Sequence, residues 1–131
     1  MTDSTGASYW KQFRDDVTDF GDKRVRAVGY IDGKYTDTVK LPAGSLPCDT
    51  AFEDGYTVVG CLEGPDKNAK GAPIYILKDD KIVSTILPQA ELGLTQFTHV
   101  HNATARKIGN KLYVIAQAWN PGDFAIFEQV L

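Results

Sequence analysis

The chain has 131 residues, a formal net charge of −3 and an apolar fraction of 43%. Its length suffices for a sizeable core, and its scattered basic residues exclude the concentrated basic face that nucleic-acid binding requires. No apolar run approaches the ~18 residues of a membrane-spanning helix. Residues 1–8 are small and polar, with no basic segment before an apolar one. We therefore expect a flexible tail and a cytoplasmic chain with reduced thiols.

The first part of the chain predicts short strands that end at turns. Residues 9–22 alternate polar and apolar side chains, which favours two short strands, with a short helix over 9–16 as the alternative. Two clearer strands follow over 24–31 and 34–41, joined by Asp32-Gly33. An Asp-Gly pair between alternating residues is the strongest short-range signal for a hairpin.

The rest of the chain predicts further strands separated by loops that contain Gly and Pro. The loop at 63–72 is polar and long enough to carry function. The connection at 89–96 favours a helical turn near 90–92, and residues 120–123 favour a tight turn. No stretch carries a sustained 3.6-residue apolar period, so the predicted fold class is all-β. The predicted strands cover 48–53, 56–62, 73–77, 81–87, 97–107, 111–119 and 124–130.

One scheme occurs about three times along the chain: an apolar strand, an acidic-glycine turn, a second strand, then a proline and a new start. The units span about 9–43, 44–94 and 95–131, and the clearest copy is the second. Strand repeats of about 40 residues are typical of propeller blades, and three are too few to close a ring. The third unit ends before an outermost strand can form. Propellers complete such a blade with strands from both ends of the chain or with a strand from another chain, and an uncovered edge at 124–127 would favour aggregation.

The first unit resembles a known family. Residues 17–25, Val-Thr-Asp-Phe-Gly-Asp-Lys-Arg-Val, followed by Gly-Tyr-Ile-Asp-Gly-Lys-Tyr at 29–35, resemble the NHL-type repeat of β-propellers. Residues 46–55 are similar to that repeat's innermost strand, whereas 106–110 depart from its acidic-glycine turn. The resemblance implies propeller-like blades of antiparallel strands, three per chain, which is a half propeller. It further implies a homodimer that closes a six-bladed ring, with a homotrimer, a fragment or a different partner chain as alternatives.

The two cysteines lie on either side of a predicted hairpin turn, Asp54-Gly55. In a regular two-residue hairpin Cys48 faces Cys61 at a non-hydrogen-bonded position, where side chains come closest. A disulfide is therefore geometrically possible. The alternative, favoured by the missing export signal, is two buried thiols.

Polar residues on the innermost strands are candidate site residues, because these strands line the channel of a propeller. His99 and His101, the two histidines of the chain, lie two residues apart, so both rings can aim at one point. Two neutral imidazoles at this spacing suit Zn²⁺, Fe or Cu. Asp49, at the corresponding place of the second unit, adds a carboxylate either as a third metal ligand or as an orienting acceptor. Alternatives without a metal are contacts to a ligand, shared with Asn102, or structural hydrogen bonds, with Asp49 capping a turn.

The remaining expectations concern function. Trp119 precedes a tight turn, where an aromatic ring can stack on a sugar or peptide ring, with packing between blades as the alternative. A cysteine nucleophile would need a nearby base and a lowered pKa. The resemblance implies a ring that binds a small ligand in its axial channel, with a divalent metal (Zn or Ca) or no cofactor. Alternatives are a non-catalytic scaffold for protein–protein interaction and a metal-dependent lyase or hydrolase, so enzyme activity stays open.

Overall fold

The computed structural model describes residues 24–28, 35–66 and 70–131. The chain divides into two compact units, 1–43 and 44–131, and this boundary coincides with the end of the first predicted repeat. The described residues of the first unit form one antiparallel pair, β1 Arg24–Val28 and β2 Tyr35–Lys40. The polar tail at 1–8, the strands predicted over 9–22 and the Asp32-Gly33 turn lie outside the described residues.

The described residues of the second unit are all-β and form two antiparallel sheets of four and three strands. The strands of the four-stranded sheet are, in spatial order, β3 Leu46–Glu53, β4 Tyr56–Glu63, β5 Ile74–Lys78 and β6 Lys81–Ile86. The strands of the three-stranded sheet are β7 Val100–Ile108, β8 Lys111–Ala118 and β9 Asp123–Glu128. All seven strands predicted for this part of the chain are present, and neighbours in sequence are neighbours in each sheet.

Two-residue turns close the hairpins where the sequence supplies residues that accept positive φ. Asp54 and Gly55 have φ values of 50° and 78°, as a type I′ turn requires, and they join Glu53 to Tyr56. The predicted Asp-Gly hairpin is therefore confirmed. The turn between β5 and β6 also has positive φ at both central residues, Asp79 and Asp80, although neither is glycine. Aspartate tolerates a left-handed backbone better than most residues.

The connection between the two sheets contains a single helical turn. Glu91 N–H donates to Leu87 O at 3.0 Å and Gly93 N–H donates to Gln89 O at 3.2 Å, in agreement with the turn predicted near 90–92. The sequence predicted that this strand begins at residue 97, but β7 begins at Val100. The later start follows from the turn that the chain makes at 95–96. Among the described residues, no helix is long and apolar enough to cross a membrane.

The core of the second unit lies between its two sheets, which pack face to face. Along β8 the side chains of alternate residues are buried, as the two-residue period of a strand requires. Phe97 is fully buried and contacts the ring of Phe127 edge-on, with centroids 6.0 Å apart. The buried cluster comprises Val58, Ile74, Ile76, Phe97, Val100, Ala103, Ala105, Leu112, Val114, Ala116, Ala118 and Phe127.

The register of β3 and β4 corrects the predicted facing of the cysteines. Cys61 pairs with Pro47 and Gly60 pairs with Asp49, so Cys48 is the extra residue of a β-bulge. Cys48 therefore does not face Cys61, and both are free thiols. Cys61 is buried, as the alternative predicted, whereas Cys48 is only half-buried.

Gly60 in β4 lies where the backbone of one sheet approaches side chains of the other. A Cβ at this position would lie 2.9 Å from Val100 Cγ1 and 3.2 Å from Ala103 Cβ, and both neighbours are buried. We expect Gly60→Ala to lower the free energy of unfolding by about 1–3 kcal/mol, because the packed sheets must shift to admit the methyl group. Urea unfolding measures the change. Gly122→Ala is the control, since a Cβ there meets nothing within 4 Å, and equal losses in both variants would contradict this account.

Candidate functional site

Three rings meet where β7 begins and β8 ends. The ring centroids of His99 and His101 lie 6.1 Å and 6.2 Å from that of Trp119, and Trp119 N–H donates to the backbone carbonyl of His99 at 3.1 Å. We call His99, His101 and Trp119 the aromatic cluster. The sequence predicted the histidines as a pair and the tryptophan as a separate candidate, and the structure brings all three together. Trp119 is 53% exposed, so its ring is accessible to a ligand.

A β-bulge positions the second histidine. Val100 pairs with Ala118 and Asn102 pairs with Gln117, so His101 is the extra residue of the β7–β8 ladder. His99 precedes the strand. The regular alternation of side chains along a strand therefore does not apply across these residues, and the bulge rather than the two-residue spacing places both rings beside Trp119.

His99 is held by a backbone carbonyl of the four-stranded sheet. Its Nδ1 lies 2.7 Å from Leu62 O at the end of β4. A carbonyl oxygen only accepts, so Nδ1 carries the proton and donates. In the neutral ring, Nε2 is then the unprotonated nitrogen, with a lone pair for a hydrogen-bond donor or a metal.

His101 is also held through Nδ1, by two successive hydrogen bonds between side chains. Asn102 Nδ2 lies 3.5 Å from Asp49 Oδ2, and Asn102 Oδ1 lies 2.8 Å from His101 Nδ1. Because a carboxylate only accepts, it directs the amide nitrogen of Asn102 towards itself and the amide oxygen towards the imidazole. His101 Nδ1 must therefore donate, which leaves Nε2 of this ring unprotonated as well.

Asp49 links the two sheets in addition to orienting Asn102. Its Oδ2 accepts the N–H of Ala103 in β7 at 3.0 Å, and its Oδ1 accepts the N–H of the following residue, Thr50, at 3.0 Å. The carboxylate thus makes both the bond to its own backbone and the contact of an orienting acceptor, two of the roles that the sequence left open. It contacts the histidine side of the cluster through Asn102.

The described residues do not form a complete metal centre. No group of three or more His, Cys, Asp or Glu side chains in this part of the chain is arranged to hold a metal ion. His99 and His101 supply two nitrogen ligands, fewer than the three protein ligands of a catalytic zinc site. The predicted set of His99, His101 and Asp49 is thus not gathered around one point, and metal binding stays a prediction.

A small cavity adjoins the aromatic cluster on the side of His99. It has a volume of about 220 Å³ and lies between the end of β4, the described part of the 63–72 loop and Thr98. Drug-sized ligands occupy about 300–1,000 Å³, so this cavity suits a small fragment or one ring of a larger molecule. The length of the loop indicated function, but no signal in the sequence indicated that Leu62 and Thr98 would border the site.

The cysteines do not supply a nucleophile. Burial, with a smaller contribution from Cys48, raises the pKa of the Cys61 thiol to about 12. Burial and then the Asp49 carboxylate raise the pKa of Cys48. Both thiols are therefore protonated near neutral pH, the opposite of what nucleophilic catalysis needs.

Comparisons with known proteins do not assign the chain to a family. No protein-family model matches it, and no curated protein matches it. The resemblance to NHL-type repeats therefore rests on the residues that carry it and stays a prediction.

Proposed function

We propose that the chain binds a small polyhydroxylated ring, such as a sugar, at the aromatic cluster. The observation that carries the proposal is that both imidazoles are held through Nδ1, so that both present an Nε2 acceptor beside the exposed ring of Trp119. A sugar ring has an apolar face for the tryptophan. Its hydroxyl groups are donors for the two nitrogens.

We further propose that the ligand is bound in a propeller-type ring assembled from two copies of the chain, with six blades in total. Two features of the second unit support this architecture. In each of its two sheets the strands lie side by side in chain order. The first strands of the two sheets, β3 and β7, contact each other. The first strands, β3 and β7, are joined through Asp49 and Ala103. Asp49, His99, His101 and Asn102 lie on these strands or directly before them, and Trp119 follows β8.

A specific observation favours one second candidate, a metal ion held by the histidines. Metal-binding histidines usually donate their other ring nitrogen to a carbonyl or carboxylate oxygen, and His99 and His101 both donate Nδ1 to carbonyl-type oxygens. The missing third protein ligand argues against a catalytic centre.

A titration followed by NMR distinguishes the two candidates. We expect a panel of monosaccharides to shift the Trp119 indole and the Nε2 signals of both histidines. Trp119→Ala should weaken binding about 10-fold or more, since an aromatic contact contributes about 0.5–1.5 kcal/mol beyond the area that it buries. Phe52→Ala is the control, because this ring is 64% exposed and lies on β3 near the opposite hairpin end. If ZnCl₂ shifts these signals and no monosaccharide does, the ligand is a metal ion rather than a sugar. If neither shifts them, the proposed site is contradicted.

A further inference from the structure

The ladder between β3 and β4 is regular except for one short segment beside the two cysteines. The pairs nearest the hairpin turn and the outermost pair of the ladder share the register that the turn sets. Between them, Pro47 pairs with Cys61. This pairing leaves one extra residue on each strand, Cys48 on β3 and Leu62 on β4. A shift of one residue in this segment alone would therefore make the whole ladder regular and place Cys48 opposite Cys61.

The backbone bonds of Cys61 show which kind of pair this would be. Cys61 N–H donates to Pro73 O at 3.2 Å, next to β5 and on the side of β4 that faces away from β3. Residues of a strand bond alternately to one neighbouring strand and to the other, so Cys61 lies at a non-hydrogen-bonded position relative to β3. The Cα atoms of facing residues at such positions are about 4.5 Å apart, which lies within the range of roughly 4.4–6.8 Å that a disulfide spans.

The surroundings of the two sulfurs are compatible with a disulfide. Cys61 is buried and Cys48 is half-buried. Burial and then Cys48 raise the pKa of the Cys61 thiol to about 12, so the two thiols already lie close enough to interact. Burial disfavours a charged thiolate, whereas a disulfide carries no charge and is not disfavoured in this way. Cys48 is the more accessible sulfur and is the one that an external oxidant meets first.

We propose that Cys48 and Cys61 are a redox modification site, at which a disulfide forms in the folded chain and restores the regular register of β3 and β4. The oxidant is a small disulfide such as oxidised glutathione. The Cys48 thiolate attacks one of its sulfurs, which forms a mixed disulfide and releases one small thiolate. The Cys61 thiolate then attacks the Cys48 sulfur and releases the second. Two protein thiols are thereby oxidised, and one small disulfide is reduced to two thiols that take up the two cysteine protons.

The disulfide would change the hydrogen bond that holds His99. In the regular register Leu62 pairs with Pro47 at a hydrogen-bonded position, so its carbonyl faces β3. In this structure the same carbonyl accepts from His99 Nδ1 at 2.7 Å. Proline has no N–H to offer that carbonyl, which accounts for the irregular segment in the reduced chain. Asp49 keeps its partner on β4 in both registers, so we expect oxidation to release His99 and to leave His101 held.

Mass spectrometry of the native chain incubated with oxidised glutathione tests the proposal. The incubation is run at about pH 8.5, since the thiolate is the reacting form. We expect the intact mass to fall by two hydrogens, and a digest without reductant to link the segments that contain Cys48 and Cys61. Cys61→Ala should stop at the mixed disulfide of Cys48 with glutathione. Cys48→Ser should lose its remaining thiol at least 10-fold more slowly than Cys61→Ala does, because Cys61 is buried.

Several results would overturn the disulfide. They are a native chain that keeps both thiols, one that stops at the mixed disulfide, one that forms disulfides only between chains, and one that forms the internal disulfide only in urea. The last result matters because an unfolded chain can join the two cysteines without any register of β3 and β4.

NMR of the imidazoles tests the change of register separately. In the oxidised chain we expect His99 to become a mixture of tautomers while His101 keeps its proton on Nδ1, and dithiothreitol should reverse the change. Cys48→Ser treated with the same oxidant is the control, and both of its histidines should stay as in the reduced chain. A disulfide that forms while His99 keeps its proton on Nδ1 would overturn the restored register.

Discussion

Replacing Phe97 by alanine is expected to lower the free energy of unfolding of the second unit by about 3–5 kcal/mol. The side chain is fully buried and its ring packs edge-on against Phe127, at an interplanar angle of 80°. Phe97 also belongs to the cluster that both sheets share. The surrounding strands are fixed by their ladders, so they cannot collapse into the space that the ring leaves. Since small domains are stable by about 5–15 kcal/mol in total, this loss is a large share.

Chemical unfolding followed by circular dichroism measures the effect. Phe52→Ala is the matched control, because it removes the same ring from a position that is 64% exposed; we expect a change within about 0.5 kcal/mol. Similar losses in the two variants would contradict the assignment of Phe97 to the core between the sheets.

The strands of the second unit were predictable because their signals are local. Asp54-Gly55 fixes a hairpin through its own backbone preferences, and the apolar alternation along β8 marks its buried face. The bulges at Cys48 and His101 were not predictable by counting residues outward from a turn, since that procedure assumes a regular ladder. The bulge in β3 directly precedes Asp49, whose carboxylate bonds to the other sheet. A contact between residues 54 positions apart has no local signal.

The sequence singled out the residues of the candidate site but not their arrangement. The two histidines stood out by their spacing, and Asp49 was assigned either a ligand role or an orienting role. The sequence could not decide between these roles, because both place a carboxylate near the same imidazole. The packing of β3 against β7 places the amide of Asn102 between Asp49 and His101, an arrangement that fits the orienting role. Leu62, the acceptor for His99, is 37 positions away from it and offers only a backbone carbonyl, which no side-chain pattern can reveal.

Asp49→Ala is expected to change the tautomer of one histidine and leave that of the other unchanged. Without the carboxylate, the Asn102 amide is free to rotate, and His101 Nδ1 loses its fixed acceptor. His99 keeps its bond to Leu62 O and serves as the reference within the same molecule. The variant also leaves the Ala103 N–H without its acceptor, so we expect a loss of about 1–3 kcal/mol in the free energy of unfolding. Affinity for the sugar should fall because one Nε2 acceptor is no longer held in place.

Long-range ¹⁵N–¹H NMR of the imidazoles, at a pH where both rings are neutral, reports the tautomers directly. In the native chain both rings should show the proton on Nδ1, and in Asp49→Ala the His101 ring should become a mixture. Asp123→Ala is the control, because Asp123 makes the same bond to the following N–H, that of Phe124, and no bond to Asn102 or Ala103 is found for it; both tautomers should persist. If His101 keeps its proton on Nδ1 in Asp49→Ala, Asn102 is oriented without the carboxylate. The role of Asp49 would then be confined to joining β3 to β7, because the geometry of the cluster would not depend on it.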